Sequence, residues 1–157
     1  MRHTQHKHKD CGARGFSLIE LMIVIAIIGI LIGVGVPAWK YMTRKGNETA
    51  AIQTLGRIRE AQAAYASTHR GDFGTFEQLL KDGSLDTRFT GDAPEISGYT
   101  YIMKVTPKAP GATSNFTVNA NPTKPGDTGS RYFYIDPSIN TVRSNEEKEA
   151  SATDPPA

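Results

Sequence analysis

The stretch GFSLIELMIVIAIIGILIGVGVPAW, from Gly15 to Trp39, decides the fold of this chain. Its last 24 residues, from Phe16 onward, carry one charge, Glu20. As a helix rising about 1.5 Å per residue they reach roughly 36 Å, enough to cross a hydrocarbon core of about 30 Å. Backbone amides in lipid must bond within their own segment, so helix is the conformation to expect. Glu20 is the anomaly. An ionised residue at mid-membrane costs roughly 2.5–3.5 kcal/mol, and an acid inside a span is a functional candidate by default. Its place five residues after Gly15, near the edge, softens that cost without removing it.

Outward from this stretch the chain divides by charge and periodicity. Residues 1–15 are polar and hold Arg2, Lys7, Lys9 and Arg14 against Asp10, an excess of +3. The remainder holds 14 basic against 15 acidic residues, a balance of −1, so the overall +2 belongs to the leader. The rest of the chain has no net attraction for nucleic acid, and none is expected as a partner. Beyond Trp39 the sequence turns polar but keeps helical spacing through Ile52, Leu55, Ile58, Gln62 and Tyr65, which predicts one helix from Ser17 to Thr68. Gly46 and Asn47 make Lys40 to Thr49 its weakest part, open to fraying or a bend, and Gly71 ends it. Thr75 to Gln78 has the pattern of a capping box opening a short helix with Phe76, Leu79 and Leu80 on one face, stopped by Gly83.

Strand patterns follow. Tyr99, Tyr101, Met103 and Val105 alternate on one face, as do Phe116, Val118 and Ala120. Tyr132 to Ile135 is a third strand, and Thr141 to Arg143 a short fourth after turn residues Asp136 to Asn140. Asn121 to Ser130, rich in Gly, Pro and Thr, is expected to be a surface loop. Ser144 to Ala157, acidic and proline-ended, is expected to be disordered.

Gly15-Phe16-Ser17-Leu18-Ile19-Glu20, running straight into an apolar segment that ends near a proline, resembles the class III signal of type IV prepilins and type II secretion pseudopilins. The resemblance is specific from Gly15 to about Pro37 and generic beyond. It implies cleavage after Gly15 by a prepilin peptidase, N-methylation of Phe16, and an assembly role for Glu20 with Phe16. Gly33, Gly35 and Pro37 look like the place where the family helix kinks, since glycine and proline both weaken a helix there. The implied fold is α+β and pilin-like: a long N-terminal helix, membrane-spanning in its first half, packed on a small antiparallel sheet head. The implied organisation is a cleaved basic leader (1–15), a transmembrane and assembly helix (16–39), its amphipathic continuation (40–70), a globular head (71–143) and a disordered acidic tail (144–157).

The implied function is that of a structural subunit of a type IV pilus or type II secretion pseudopilus, not an enzyme and without a cofactor. Its implied partners are identical or related pilin subunits, the prepilin peptidase, the inner-membrane assembly machinery, and membrane lipid before assembly. It would sit in the bacterial inner membrane with its N-terminus cytoplasmic and its head extracytoplasmic, then in a pilus or periplasmic pseudopilus. Two other readings compete. Cleavage after Ala38 would make the apolar run an ordinary secretory signal, but that run is long for one and Glu20 would then be unexplained. A single-pass protein whose head binds a ligand without polymerising is the other. It predicts that the Gly15-Phe16 junction has no special importance.

Few residues offer other chemistry. Cys11 is the only cysteine, so the chain has no internal disulfide, unlike pilins that staple a C-terminal loop with a cysteine pair. The leader histidines His3, His6 and His8 lack the further ligands of a structural metal site. His69, the one histidine after them, falls at a helix end, where a cation is favoured electrostatically. Asp92, Glu95, Asp127 and Asp136 are oxygen ligands in type, but follow no calcium-loop pattern. Asn47 and Asn115 head short glycosylation-like triplets that occur by chance. No metal site and no catalytic residue is expected.

Overall fold

The computed structural model describes residues 15–110 and 113–157, apart from the side chains of 34–37. The chain divides into two units, Met1–Ala38 and Trp39–Ala157. The helix α1, Leu18–Thr68, runs through the division, and each unit is described by itself.

In the first unit α1 carries a window long and apolar enough to cross a membrane, and none of that window is buried. Leu18, Ile19, Leu21, Met22, Ile23, Val24 and Ile25 are all exposed, on every side of the helix. An apolar surface of this kind is stable only when lipid or other protein covers it.

The second unit is an α+β head. After α1 come α2 (Phe76–Lys81), a 3-10 turn (Thr87–Phe89) and strands β1 (Glu95–Ile96), β2 (Tyr99–Thr106), β3 (Asn115–Pro122), β4 (Tyr132–Ile135) and β5 (Arg143–Asn145). The strands form one antiparallel sheet in sequential order. Alternation sets its two faces. In β3, Phe116, Val118 and Ala120 are buried while Asn115, Thr117, Asn119 and Asn121 point the other way. The buried face packs on α1: Ala51, Leu55 and Ile58 join Tyr99, Tyr101, Phe116, Val118, Phe133 and Ile135 in one core. A smaller cluster of Ala61, Tyr65 and Leu79 seats α2 on the end of the helix. Leu55, Ile58 and Tyr65 are among the residues that the three-and-four spacing of α1 singles out, while Ile52 of that series is only partly buried.

One side chain completes the join between helix and head. Gln62, fully buried, donates from Nε2 to Gly74 O (2.6 Å) and accepts at Oε1 from Gly74 N (2.9 Å). An amide with both ends satisfied by one residue pins the turn that follows α1. That turn needs Gly71, whose φ of +85° closes the helix while its amide donates to Ala66 O (2.9 Å). The capping box of α2 forms, Thr75 N donating to Gln78 Oε1 and Gln78 N to Thr75 Oγ1. Leu55→Ala removes a fully buried side chain from the centre of the core, and is expected to cost roughly 2–5 kcal/mol. Thermal unfolding of the mature protein in detergent reads this as a lower midpoint; an unchanged midpoint would mean that α1 does not pack on the sheet.

The structure departs from the sequence expectations in three places. The fourth strand is Arg143–Asn145 rather than Thr141 to Arg143, placed by its pairing with β4. Lys40 to Thr49 is unbroken helix, although Gly46 and Asn47 are poor helix formers, because tertiary contacts described below hold it. Ser144 to Ala157 is ordered. Ser144 N donates to Pro155 O and Ala157 N to Val142 O, both at 2.9 Å, so the tail folds back along β5. Asn119 donates to Ala150 O (2.8 Å) and Asn121 to Glu149 Oε1 (3.3 Å), carrying the segment across the outer face of the sheet, where Ala150 is 3% exposed. Charge and proline content argued for disorder, but backbone pairing to an open strand edge outweighs them.

Candidate functional site

Gly15 and Phe16 lie exposed just before α1, and Ser17 occupies its N-cap position. Glu20, three residues on, accepts from Ser17 N at Oε2 (3.3 Å). This is the amide half of a capping box, in which the third helical residue reaches back to an orphan N–H. Glu20 thus has a local duty that the sequence pattern Ser-x-x-Glu carried and that the assembly reading passed over. Among the described residues, the other carboxylate oxygen, Oε1, makes no hydrogen bond. An acid in the first turn is favoured by the helix dipole as well.

Gly33, Gly35 and Pro37 lie within α1. Proline has no N–H, so the bond that residue 37 would make to the carbonyl of Gly33 is missing by chemistry. The leader itself, residues 1–14 with His3, His6 and His8, lies outside the described residues.

In the head, the residues considered for other chemistry are occupied separately. His69 stacks on Tyr65 with ring centroids 3.7 Å apart, and its Nδ1 lies 3.0 Å from Tyr65 O. Asp136 closes a turn, accepting from Ser138 N, Ser138 Oγ and Ile139 N. Asp127 pairs with Lys40, and Glu95 lies in β1. Among the described residues, no three His, Cys, Asp or Glu side chains gather as a metal ion would need. The amide of Asn47 is engaged with Thr128 O (2.8 Å), and Asn115 Oδ1 accepts from Phe116 N.

The structure adds a polar centre that sequence reasoning missed, Glu48. Its side chain is 1% exposed and receives four donors. Ser130 N (3.1 Å) and Ser130 Oγ (2.7 Å) donate to Oε1; Arg131 Nε (3.1 Å) and Lys45 Nζ (3.0 Å) donate to Oε2. Burial pushes the carboxyl up, but the four hydrogen bonds outweigh it and hold the pKa at about 2. Around Glu48 the loop 123–131 is clasped to the helix. Arg44 Nη1 donates to Gly126 O (3.0 Å), Asn47 to Thr128 O, and Lys40 Nζ lies 3.7 Å from Asp127 Oδ1. Tyr99 Oη donates to Arg131 O (2.9 Å) across Gly129, where a Cβ would collide with the phenol. Locally only Lys45 to Glu48, an i,i+3 pair, hinted at this centre.

Taken together, the described residues hold an exposed apolar helix that starts on a capped glutamate, joined in sequence to a head without a catalytic constellation. That is a pilin-like α+β arrangement with a class III signal at its start. Residues 11–36 match the family model described as the prokaryotic N-terminal methylation motif. Over part of its length the chain is similar to type IV pilins and fimbrial proteins. It is 47% identical over 58 residues to prepilin peptidase-dependent protein D of Escherichia coli, covering 37% of this chain and 40% of that protein. It is 34% identical over 83 residues to a fimbrial protein of Pseudomonas aeruginosa (45% and 54% of the two chains). It is 43% identical over 56 residues to a type IV major pilin protein of Neisseria gonorrhoeae (36% and 34%). The chain thus spans about a third to a half of the length of these relatives. No solved structure matches.

Proposed function

We propose that this chain is a non-catalytic subunit of a type IV pilus or of the related secretion pseudopilus. The observation that carries the proposal is the class III signal opening directly onto an apolar helix whose described residues are exposed. A peptidase cuts after Gly15, Phe16 becomes the N-methylated terminus, and the helix waits in the inner membrane with the head outside. On assembly the same apolar surface passes from lipid to neighbouring helices, which costs little because both surroundings are apolar. Head-to-tail association of identical subunits then generates an open helical filament. The missing bond at Pro37, beside Gly33 and Gly35, makes this the place where the helix loosens as it packs.

The test is the mass of the mature protein. It is expected to begin at Phe16 with one added methyl group, and substitution of Gly15 by a larger residue is expected to leave the precursor uncut. A mature start at Trp39 would establish an ordinary secretory signal instead and remove the filament proposal.

A further inference from the structure

At the start of the head, Trp39, Tyr41 and Met42 are 75%, 57% and 72% exposed. At about 100° per residue they point to different sides of α1, so they form a collar rather than one face for a protein neighbour. The clasp described above brings the loop 123–131 down beside residues 40–48 of that helix. The tip of the loop, Lys124 to Asp127, is exposed there. Lys40, Arg44, Lys45, Lys124 and Arg131 thus share one end of the head, where Asp127 pairs with Lys40, and Glu48 with Lys45 and Arg131. Among the described residues, Arg44 and Lys124 form no ion pair, so their charge is left uncompensated by a carboxylate. This concentration is local: the chain after residue 15 has a balance of −1.

We propose that the collar and the loop form a foot that seats the unassembled head on an anionic phospholipid surface. The proposal rests on the membrane-spanning reading of residues 16–39 given above. Trp39 and Tyr41 lie at headgroup level, where amphipathic rings are favoured. Lys40, Arg44, Lys45 and Lys124 face lipid phosphates, attracted by the negative surface over a distance of about a Debye length. Because the basic loop stands on one side of the helix, the foot fixes which side of the head faces the bilayer as well as its depth.

Trp39 is the only tryptophan, and cleavage after Gly15 removes the only cysteine, Cys11, so two site-specific probes are available. Mature protein is reconstituted into vesicles of phosphatidylcholine alone or mixed with phosphatidylglycerol. Trp39 emission is expected to be blue-shifted and quenched most by lipids brominated near the glycerol backbone. A nitroxide on Lys124→Cys is expected at phosphate depth in the anionic vesicles, withdrawing in zwitterionic vesicles or in high salt. The same label on Lys81→Cys, an exposed position at the end of α2, is expected to stay in water throughout. If the Lys124→Cys label remains in water at both compositions while Trp39 is quenched by lipid, the foot is refuted and the span survives. If the label is shielded only as protein density in the vesicles rises, the basic end binds a second copy and the lipid proposal falls. If lipid does not quench Trp39, both the foot and the membrane reading fail.

Discussion

Subunits carrying Glu20→Gln are expected to insert, to be cleaved and to accumulate in the membrane, yet to be depleted at least tenfold from filaments formed with unmodified subunits. In the proposed function, cleavage after Gly15 would create a positive amine on Phe16, and N-methylation would preserve that charge. In an apolar surrounding an unpaired charge is expensive, so bringing an incoming amine to Glu20 relieves both groups at once. A tenfold bias needs only about 1.4 kcal/mol, well within the worth of such a pair. The apolar residues around it provide little axial register, because they are equally satisfied at many offsets. Glutamine is the informative replacement because of the contact to Ser17 N. Its side-chain oxygen can take over that cap, as Glu and Gln both do in capping boxes, so only the charge is removed. Co-expression of differently tagged subunits, followed by their ratio in purified filaments, measures the effect. Equal incorporation would show that Glu20 serves the helix start alone.

The second large effect is expected at Glu48. Glu48→Ala leaves Ser130, Arg131 and Lys45 without their shared acceptor and releases the loop 123–131 from the helix. Breaking a buried charged centre from one side typically costs about 3–5 kcal/mol, and the partial exposure of Arg131 and Lys45 places this one near the lower end. For a head of this size that lowers the thermal midpoint by roughly 10 °C. The same centre gives the protein a signature in acid. The folded pKa, about 2, lies below the ordinary value of 4.5, so the folded state favours the ionised form. The resulting stability is fully present above pH 4.5 and is lost as pH falls from there toward 2. Its size is on the order of 3 kcal/mol at neutral pH. Unfolding midpoints measured across that range are expected to fall more steeply for the parent than for Glu48→Gln. Parallel curves would mean that the carboxylate is not held ionised by its four donors.

The separate origins of these two expectations show how much of the protein was legible in its sequence. Glu20 was conspicuous because a lone charge in an apolar run violates a local pattern, and the class III signal is a string of adjacent residues. The faces of α1, β2 and β3, the ends of β4 and the capping box of α2 were readable for the same reason. Helical and strand periodicities are set by backbone geometry within a few residues. Even the cap made by Glu20 was written locally, in Ser17-x-x-Glu20, though the assembly reading passed over it.

Glu48 looked like any other surface acid on a helix. Its partners Ser130 and Arg131 lie 82 and 83 residues away, and only the pairing of the sheet brings their loop beneath the helix. The tail beyond Ser144 misled in the opposite sense. Its composition is that of a solvated segment, yet β5 leaves an open edge and Asn119 and Asn121 leave unpaired amides on the outer face. The tail's backbone pairs along that edge, Ala150 O accepts from Asn119, and the Glu149 carboxylate accepts from Asn121. Sequence by itself determined the signal, the span and the alternating faces, because each depends on residues near one another along the chain. The tertiary structure alone decided which polar groups became buried and paired, because desolvation and hydrogen bonding depend on neighbours that only folding supplies.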